Sequence, residues 1–284
     1  MKVSYSGIEG SFASIAASLI CPGAERISYR TFPEAYAAVE NDICELAILP
    51  IENSYAGEVA QVTDLMFHGD LCVTGVYELP VVHCLMGIEG SSVEDVKTVI
   101  SHPQALEQCG NYILEHGFIT QPCENTARAA KETAERNDPS VAAIASGMTA
   151  KLYDLSVLED QINDSPDNTT RFAVLKKADH VLSEQGDSCY NVEDNVNSIL
   201  MFTVEHASGT LARALSVLSD FGYNMRLIRS RPLKNKNWDY YFYTEVEGSL
   251  FTEKARQMLS GLKYECGELK VLGTYRPGEQ LSPD

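Results

Sequence analysis

Over its first ~178 residues the chain alternates short apolar runs with amphipathic helical stretches, and that alternation leaves few folds other than α/β. Lys2–Tyr5 reads as a strand, and Ser11 is placed to cap a helix running to Leu19. Phe32, Ala35, Tyr36 and Val39 recur at helical spacing. Leu46–Leu49 is a buried strand stopped by Pro50, and Leu71–Tyr77 and Val81–Met86 flank Pro80 as further strands. A second unit follows. Thr98–Ile100, Phe118–Gln121 and Val141–Ala145 read as strands. Pro103 opens a helix to about His116, and Asn125 caps an Ala-rich helix over Thr126–Glu135. The strand after Thr170 is expected to return to the first unit. Two lobes joined by crossing chains leave a cleft between them, where small ligands bind.

Residues 179–196 are polar and aperiodic and read as a linker. From 197 to 276 the pattern is strand, helix, strand, strand, helix, strand, with 277–284 as a tail. The second lobe is expected over about 80–160.

Composition narrows the function. A formal charge of −18 argues against nucleic acid and against an anionic membrane surface as partners. No apolar run approaches the ~20 residues that span a bilayer, and Met1–Gly7 reads as a strand entering a Gly turn, so a cytoplasmic location is expected. The eight cysteines show no CxxC pair and the six histidines no metal-ligand spacing, so no metal site is expected.

Candidate site residues fall at strand ends. In Asn168-Thr169-Thr170-Arg171-Phe172 a hydroxyl stands beside a guanidinium shaped to hold a carboxylate. Glu52, Asn53 and Ser54 follow a buried strand. Asn53 and Ser54 could bind a polar ligand or cap a helix, and Glu52 could pair with a cation. Ser101-His102-Pro103-Gln104 and Asn125-Thr126 each end a strand and open a helix, as does Gly7-Ile8-Glu9-Gly10-Ser11. Three such junctions facing one cleft would bind an anion through helix N-termini.

These segments together resemble the prephenate dehydratase family. The resemblance rests on Gly7–Phe12, Pro50–Ser54, Ser101–Cys109, Asn125–Ala127, Ala143–Ser146 and Asn168 with Thr170-Arg171-Phe172. It implies a two-lobed fold like that of periplasmic binding proteins over 1–178, and a hydro-lyase that converts prephenate to phenylpyruvate without a cofactor. Thr170 and Arg171 are the implied catalytic pair. Thr170 would serve the departing hydroxyl and Arg171 a substrate carboxylate. Ser11, Glu52, Asn53, Ser54, Ser101, His102, Thr126, Asn168 and Phe172 would line the substrate site. The C-terminal unit resembles a βαββαβ ACT module through Gly209-Thr210-Leu211-Ala212, Asn224 and Ser230-Arg231-Pro232. That likeness implies phenylalanine as effector at those residues and a homodimer or homotetramer. Two positions depart from the family pattern. Asn125 stands where Ser is usual. Arg229 stands where the ACT motif carries Glu, which reverses a charge beside the expected effector site. The competing readings are arogenate as substrate and a non-catalytic amino-acid or keto-acid sensor. Chorismate mutase activity would need a further helical domain.

Overall fold

The computed structural model describes residues 1–177, 195–233 and 239–282. The expected linker, except for its last two residues, lies outside the described residues, as do Lys234–Asn237 and Trp238.

The chain opens with β1 (Lys2–Ser6), α1 (Phe12–Ile20), β2 (Glu25–Tyr29), α2 (Phe32–Glu40), β3 (Leu46–Asn53), β4 (Gly57–Glu58), α3 (Ala60–His68) and β5 (Leu71–Pro80). It crosses into β6 (Cys84–Gly87), β7 (Thr98–Ser101), α4 (Pro103–Gln108), α5 (Gly110–His116), β8 (Ile119–Pro122), α6 (Thr126–Arg136), β9 (Val141–Ala145), α7 (Gly147–Leu152) and β10 (Ser156–Glu159). It then returns as β11 (Thr169–Lys177). The C-terminal unit is β12 (Asn197–Thr203), α8 (Thr210–Asp220), β13 (Met225–Pro232), β14 (Tyr240–Glu247), α9 (Glu253–Glu265) and β15 (Leu269–Tyr275), followed by β16 (Glu279–Gln280).

Three sheets result. The first runs β16-β5-β11-β3-β1-β2 with β4 beside β3, the second β10-β6-β9-β7-β8, and the third β13-β14-β12-β15. Strands β1, β2 and β3 are parallel, while β11 lies antiparallel between β3 and β5. The return of β11 makes the first sheet whole and leaves the second sheet as a separate lobe. Within the expected tail, Glu279–Gln280 form β16 along the edge of β5.

Local chemistry accounts for the helix starts. Thr31 and Glu34 form a reciprocal capping box with Pro33 in the first turn of α2. The single helix expected from Pro103 to His116 is two helices broken at Cys109, whose φ of −118° leaves helical geometry. Strands β2 and β10 are half-exposed edges and lack the apolar density that marks β3 and β9.

The central strands of the third sheet, β12 and β14, are buried on both faces. Leu200, Phe202 and Val246 pack under α8 and α9. Ile199, Met201, Tyr241, Tyr243 and Leu272 join Met66, Phe67, Leu71 and Val73 of the first sheet's layer in one core. Two-sided burial explains why β12 reads as a continuous apolar run rather than an alternation. The junction is tight. A Cβ at Gly273, whose φ is +148°, would lie 2.0 Å from the Val73 carbonyl oxygen. No helix among the described residues is long and apolar enough to cross a membrane.

Candidate active site

A cavity of about 480 Å³ opens between the two lobes. Its floor is the rung where Thr170 of β11 faces Asn53 of β3. The helix starts at Ser11, His102 and Asn125 all reach its wall. Ser11 accepts the Ser14 N–H at 3.3 Å, His102 Nδ1 accepts the Gln104 N–H at 3.2 Å, and Asn125 Oδ1 accepts the Arg128 N–H at 2.7 Å. These ends add partial positive charge to the cavity. Gly7 stands where a Cβ would meet Ser11 Oγ at 2.9 Å, with φ +107°, so only glycine lets this wall approach so closely.

One hydrogen-bond chain orients the floor. Asn53 Oδ1 accepts the backbone N–H groups of Tyr55 and Ala56 at 3.0 and 2.8 Å. Its Nδ2 therefore points the other way. It donates to Thr170 Oγ1 at 3.0 Å and to Asn168 Oδ1 at 2.8 Å. That fixes Asn168, whose Nδ2 donates to Gln108 Oε1 at 3.0 Å. His83 Nε2 lies 3.0 Å from the same Gln108 oxygen, so His83 carries its proton on Nε2 and leaves Nδ1 as a bare acceptor. His83 Nδ1 and Gln108 Nε2 are buried without a partner. Burial holds the His83 imidazole below its usual pKa, against the opposing effect of Gln108, so it stays neutral. Since Thr170 Oγ accepts from Asn53, its own proton is directed away from that amide. Thr170 and Phe172 both face the cavity.

The neighbouring side chains go elsewhere. A strand sends alternate residues to opposite faces, so Arg171 and Glu52, paired across β11 and β3, turn away from the cavity. Arg171 forms ion pairs with Glu52 and Glu245, both at 3.0 Å, and donates to the Tyr275 hydroxyl at 2.7 Å. Burial disfavours its charge, but Glu245 more than offsets this and raises its pKa. The expected contact of Arg171 and Glu52 with substrate is thus corrected: both serve the junction with the third sheet. Ser101 is corrected too. Its hydroxyl is fully buried and donates to the Ile144 carbonyl at 2.6 Å, tying β7 to β9. Ser54 bridges Asp167 O and the Thr169 N–H rather than lining the cavity. Ser11, Asn53, His102, Thr126, Thr170 and Phe172 do line it, and Asn168 stands immediately behind.

Sequence reasoning missed Arg30, His83 and Gln108, which also line the cavity. Arg30 precedes the α2 capping box at the carboxyl end of β2, an edge strand that carried no apolar signal. Gln108 lies a full helix away from Ser101, and only the break at Cys109 marks it. Burial pushes the Cys84 and Cys109 thiols up to about 12, Asp160 adding to the effect at Cys84 and Asp164 at Cys109, so neither is a thiolate.

The expected effector residues divide. Thr210, Leu211 and Ser230 line a second cavity of about 310 Å³ with His206, Asp239 and Tyr240. Gly209 is the N-cap before α8, in left-handed geometry, and Ala212 is the third residue of that helix; neither lines this cavity. Asn224 donates to Glu247, Arg231 pairs with Asp64 of α3 at 3.1 Å, and Pro232 ends β13, so these three are not brought to it.

Comparison with known proteins settles the family. The sequence model described as "PDT: Prephenate dehydratase" matches residues 3–180. The chain belongs to the prephenate dehydratase family. It is 34% identical over 284 residues to arogenate dehydratase/prephenate dehydratase 2 of Arabidopsis thaliana, a chloroplastic protein, covering 97% of this chain and 72% of the relative. The fold matches the prephenate dehydratase of Arthrobacter aurescens in complex with L-Phe, with TM-score 0.86 and 25% identity, over 99% of this chain and 92% of that one. It also matches GqqA, named a novel type of quorum-quenching acylase, with TM-score 0.87 and 28% identity, over 98% of both chains. One fold thus carries differently named activities, and the family model together with the dehydratase relatives selects the chemistry. The protein is a dehydratase, a hydro-lyase, of aromatic amino-acid biosynthesis.

Proposed function

We propose that the cleft converts prephenate to phenylpyruvate by coupled loss of carbon dioxide and hydroxide. The observation that carries this reading is the Asn53–Thr170 rung on the cavity floor. The electron pair of the breaking bond to the ring carboxylate moves through the ring and expels the ring hydroxyl, which leaves as water after taking a proton. Aromaticity supplies most of the driving force. Thr170 offers its hydroxyl proton as a hydrogen bond to the departing oxygen. A threonine is too weak an acid to be the net source, so solvent supplies the proton. The chain from Asn53 to His83 orients the hydroxyl; its amides are not a relay.

The leaving carboxylate is best left without a cation, because holding it would stabilise the ground state and slow its loss. Arg30 is suited to the side-chain carboxylate, aided by the three helix ends. It is the only Lys or Arg lining the cavity among the described residues.

Arogenate is the second reading. It carries an amino group where prephenate has a keto group, and Glu124, a carboxylate on the cavity wall, could pair with it. Purified protein offered each substrate separately distinguishes the two. Phenylpyruvate from prephenate at the higher kcat/KM supports the first reading; turnover of arogenate alone would replace it, and turnover of neither would favour a sensor.

The βαββαβ unit fits an ACT-type regulatory module. Phenylalanine is proposed as its effector, beside Thr210, Leu211 and Ser230. The outer edge of β13 carries no strand partner among the described residues, so pairing with a second copy there would give a homo-oligomer. The seven cysteines among the described residues are all free, which suits the cytoplasm.

A further inference from the structure

Four charged side chains meet on the side of β3 and β11 that faces away from the cleft. Arg229 of β13 donates to Glu52. The other Glu52 oxygen accepts from Arg171 at 3.0 Å, and Arg171 holds Glu245 of β14 at 3.1 and 3.0 Å. Two cations and two carboxylates alternate, half from the catalytic sheet and half from the C-terminal unit. Glu52 adjoins Asn53 and Arg171 adjoins Thr170, so the network grips the same rung that floors the cavity. The pairing register of β3 and β11 shifts at this point, between Arg171 and Phe172, and such a bulge re-aims the side chains around it.

We propose that Arg229 is a positioning residue for the dehydration: by holding Glu52 it sets the Asn53–Thr170 rung. The inference rests on the dehydratase reading above. Anchoring the two units together does not require Arg229. Arg231 already ties β13 to Asp64 and Glu58, and Lys270 of β15 donates to the carbonyls of Met66, Phe67 and Gly69 at the end of α3. Arg229 differs from these anchors in touching a residue adjacent to the site.

The test compares three variants of the full chain. Arg229→Met is expected to lower kcat about tenfold, a fraction of what a 1 Å misplacement costs, with KM within about twofold. Arg229→Lys restores most of kcat, because a cation again reaches Glu52. Lys270→Met loosens docking alone and lowers Tm with kcat retained. A double-mutant cycle with Glu52→Gln should give less than the product of the single losses in kcat. An unchanged kcat in Arg229→Met, failure of Lys to rescue it, or equal losses in Arg229→Met and Lys270→Met would overturn the proposal. Absence of turnover by the unaltered protein would overturn the dehydratase reading itself, and this inference with it.

Discussion

Replacing Arg171 by Met separates two roles that the sequence alone leaves merged. A substrate-binding arginine would reveal itself in KM. An arginine buried against Glu245 reveals itself in stability. The Glu245 side chain is only 3% exposed and that of Arg171 19%. Removing one partner of a buried pair leaves the other charge uncompensated, at a cost of about 3–5 kcal/mol. The Tyr243 and Tyr275 hydroxyls still donate to Glu245, at 2.7 and 2.9 Å, and Arg171 is partly wet, so the lower end applies, about 3 kcal/mol. At this chain length that corresponds to roughly 6 °C in Tm. Adding Glu245→Gln removes the stranded charge and should recover about half. Differential scanning calorimetry reads the stability, and initial rates read KM, which should stay within about threefold while kcat falls as the rung relaxes. Loss of a carboxylate contact of the same ~3 kcal/mol would instead raise KM about 10²-fold. An unchanged Tm with KM raised a hundredfold would refute the reasoning and return Arg171 to the substrate.

Further outcomes follow from the cavity. Thr170→Ala should lower kcat by about 10²–10⁴-fold with little change in KM, whereas Thr170→Ser keeps the hydroxyl and most of the rate; a loss carried by KM alone would remove Thr170 from the chemistry. Arg30→Ala should raise KM for prephenate about 10- to 100-fold and weaken the salt dependence of kcat/KM, since an exposed cation on a carboxylate is screened; unchanged kinetics would leave the anchoring to the helix ends alone. His83 is held below its unfolded pKa by burial, so the unfolded chain takes up a proton first on acidification. Stability present above about pH 6.5 is therefore lost as pH falls toward the folded pKa, with a slope of up to about 1.4 kcal/mol per pH unit. His83→Asn should flatten that slope in Tm measured between about pH 7.5 and 5.5, and equal slopes in both proteins would show that the imidazole is not the group responsible.

What was legible in the sequence followed from how many faces of an element are buried. β3, β9 and β12 are buried on both sides and appear as dense apolar runs, α2 announces itself by the helical recurrence of Phe32, Ala35, Tyr36 and Val39, and α6 by its cap Asn125. The exposed edges β2 and β10 have no such density, and Arg30 was lost with the first of them. The helix starts signalled by Ser11, Pro103 and Asn125 were legible because capping is local chemistry; the cap before Pro103 is His102 rather than Ser101, and Ser11, His102 and Asn125 stand in the cavity wall. The misassignments of Arg171, Glu52 and Ser101 share a different cause. Each adjoins a cavity residue in sequence, and nearness along a strand says nothing about face. With Thr170 and Phe172 turned to the cleft, alternation alone requires Arg171 to point the other way. A guanidinium mostly withdrawn from solvent there needs carboxylates on whatever covers that face. In this chain the cover is β14 of the C-terminal unit, which supplies Glu245, so one short segment provides both the cavity floor, through Thr170, and the inter-domain joint, through Arg171.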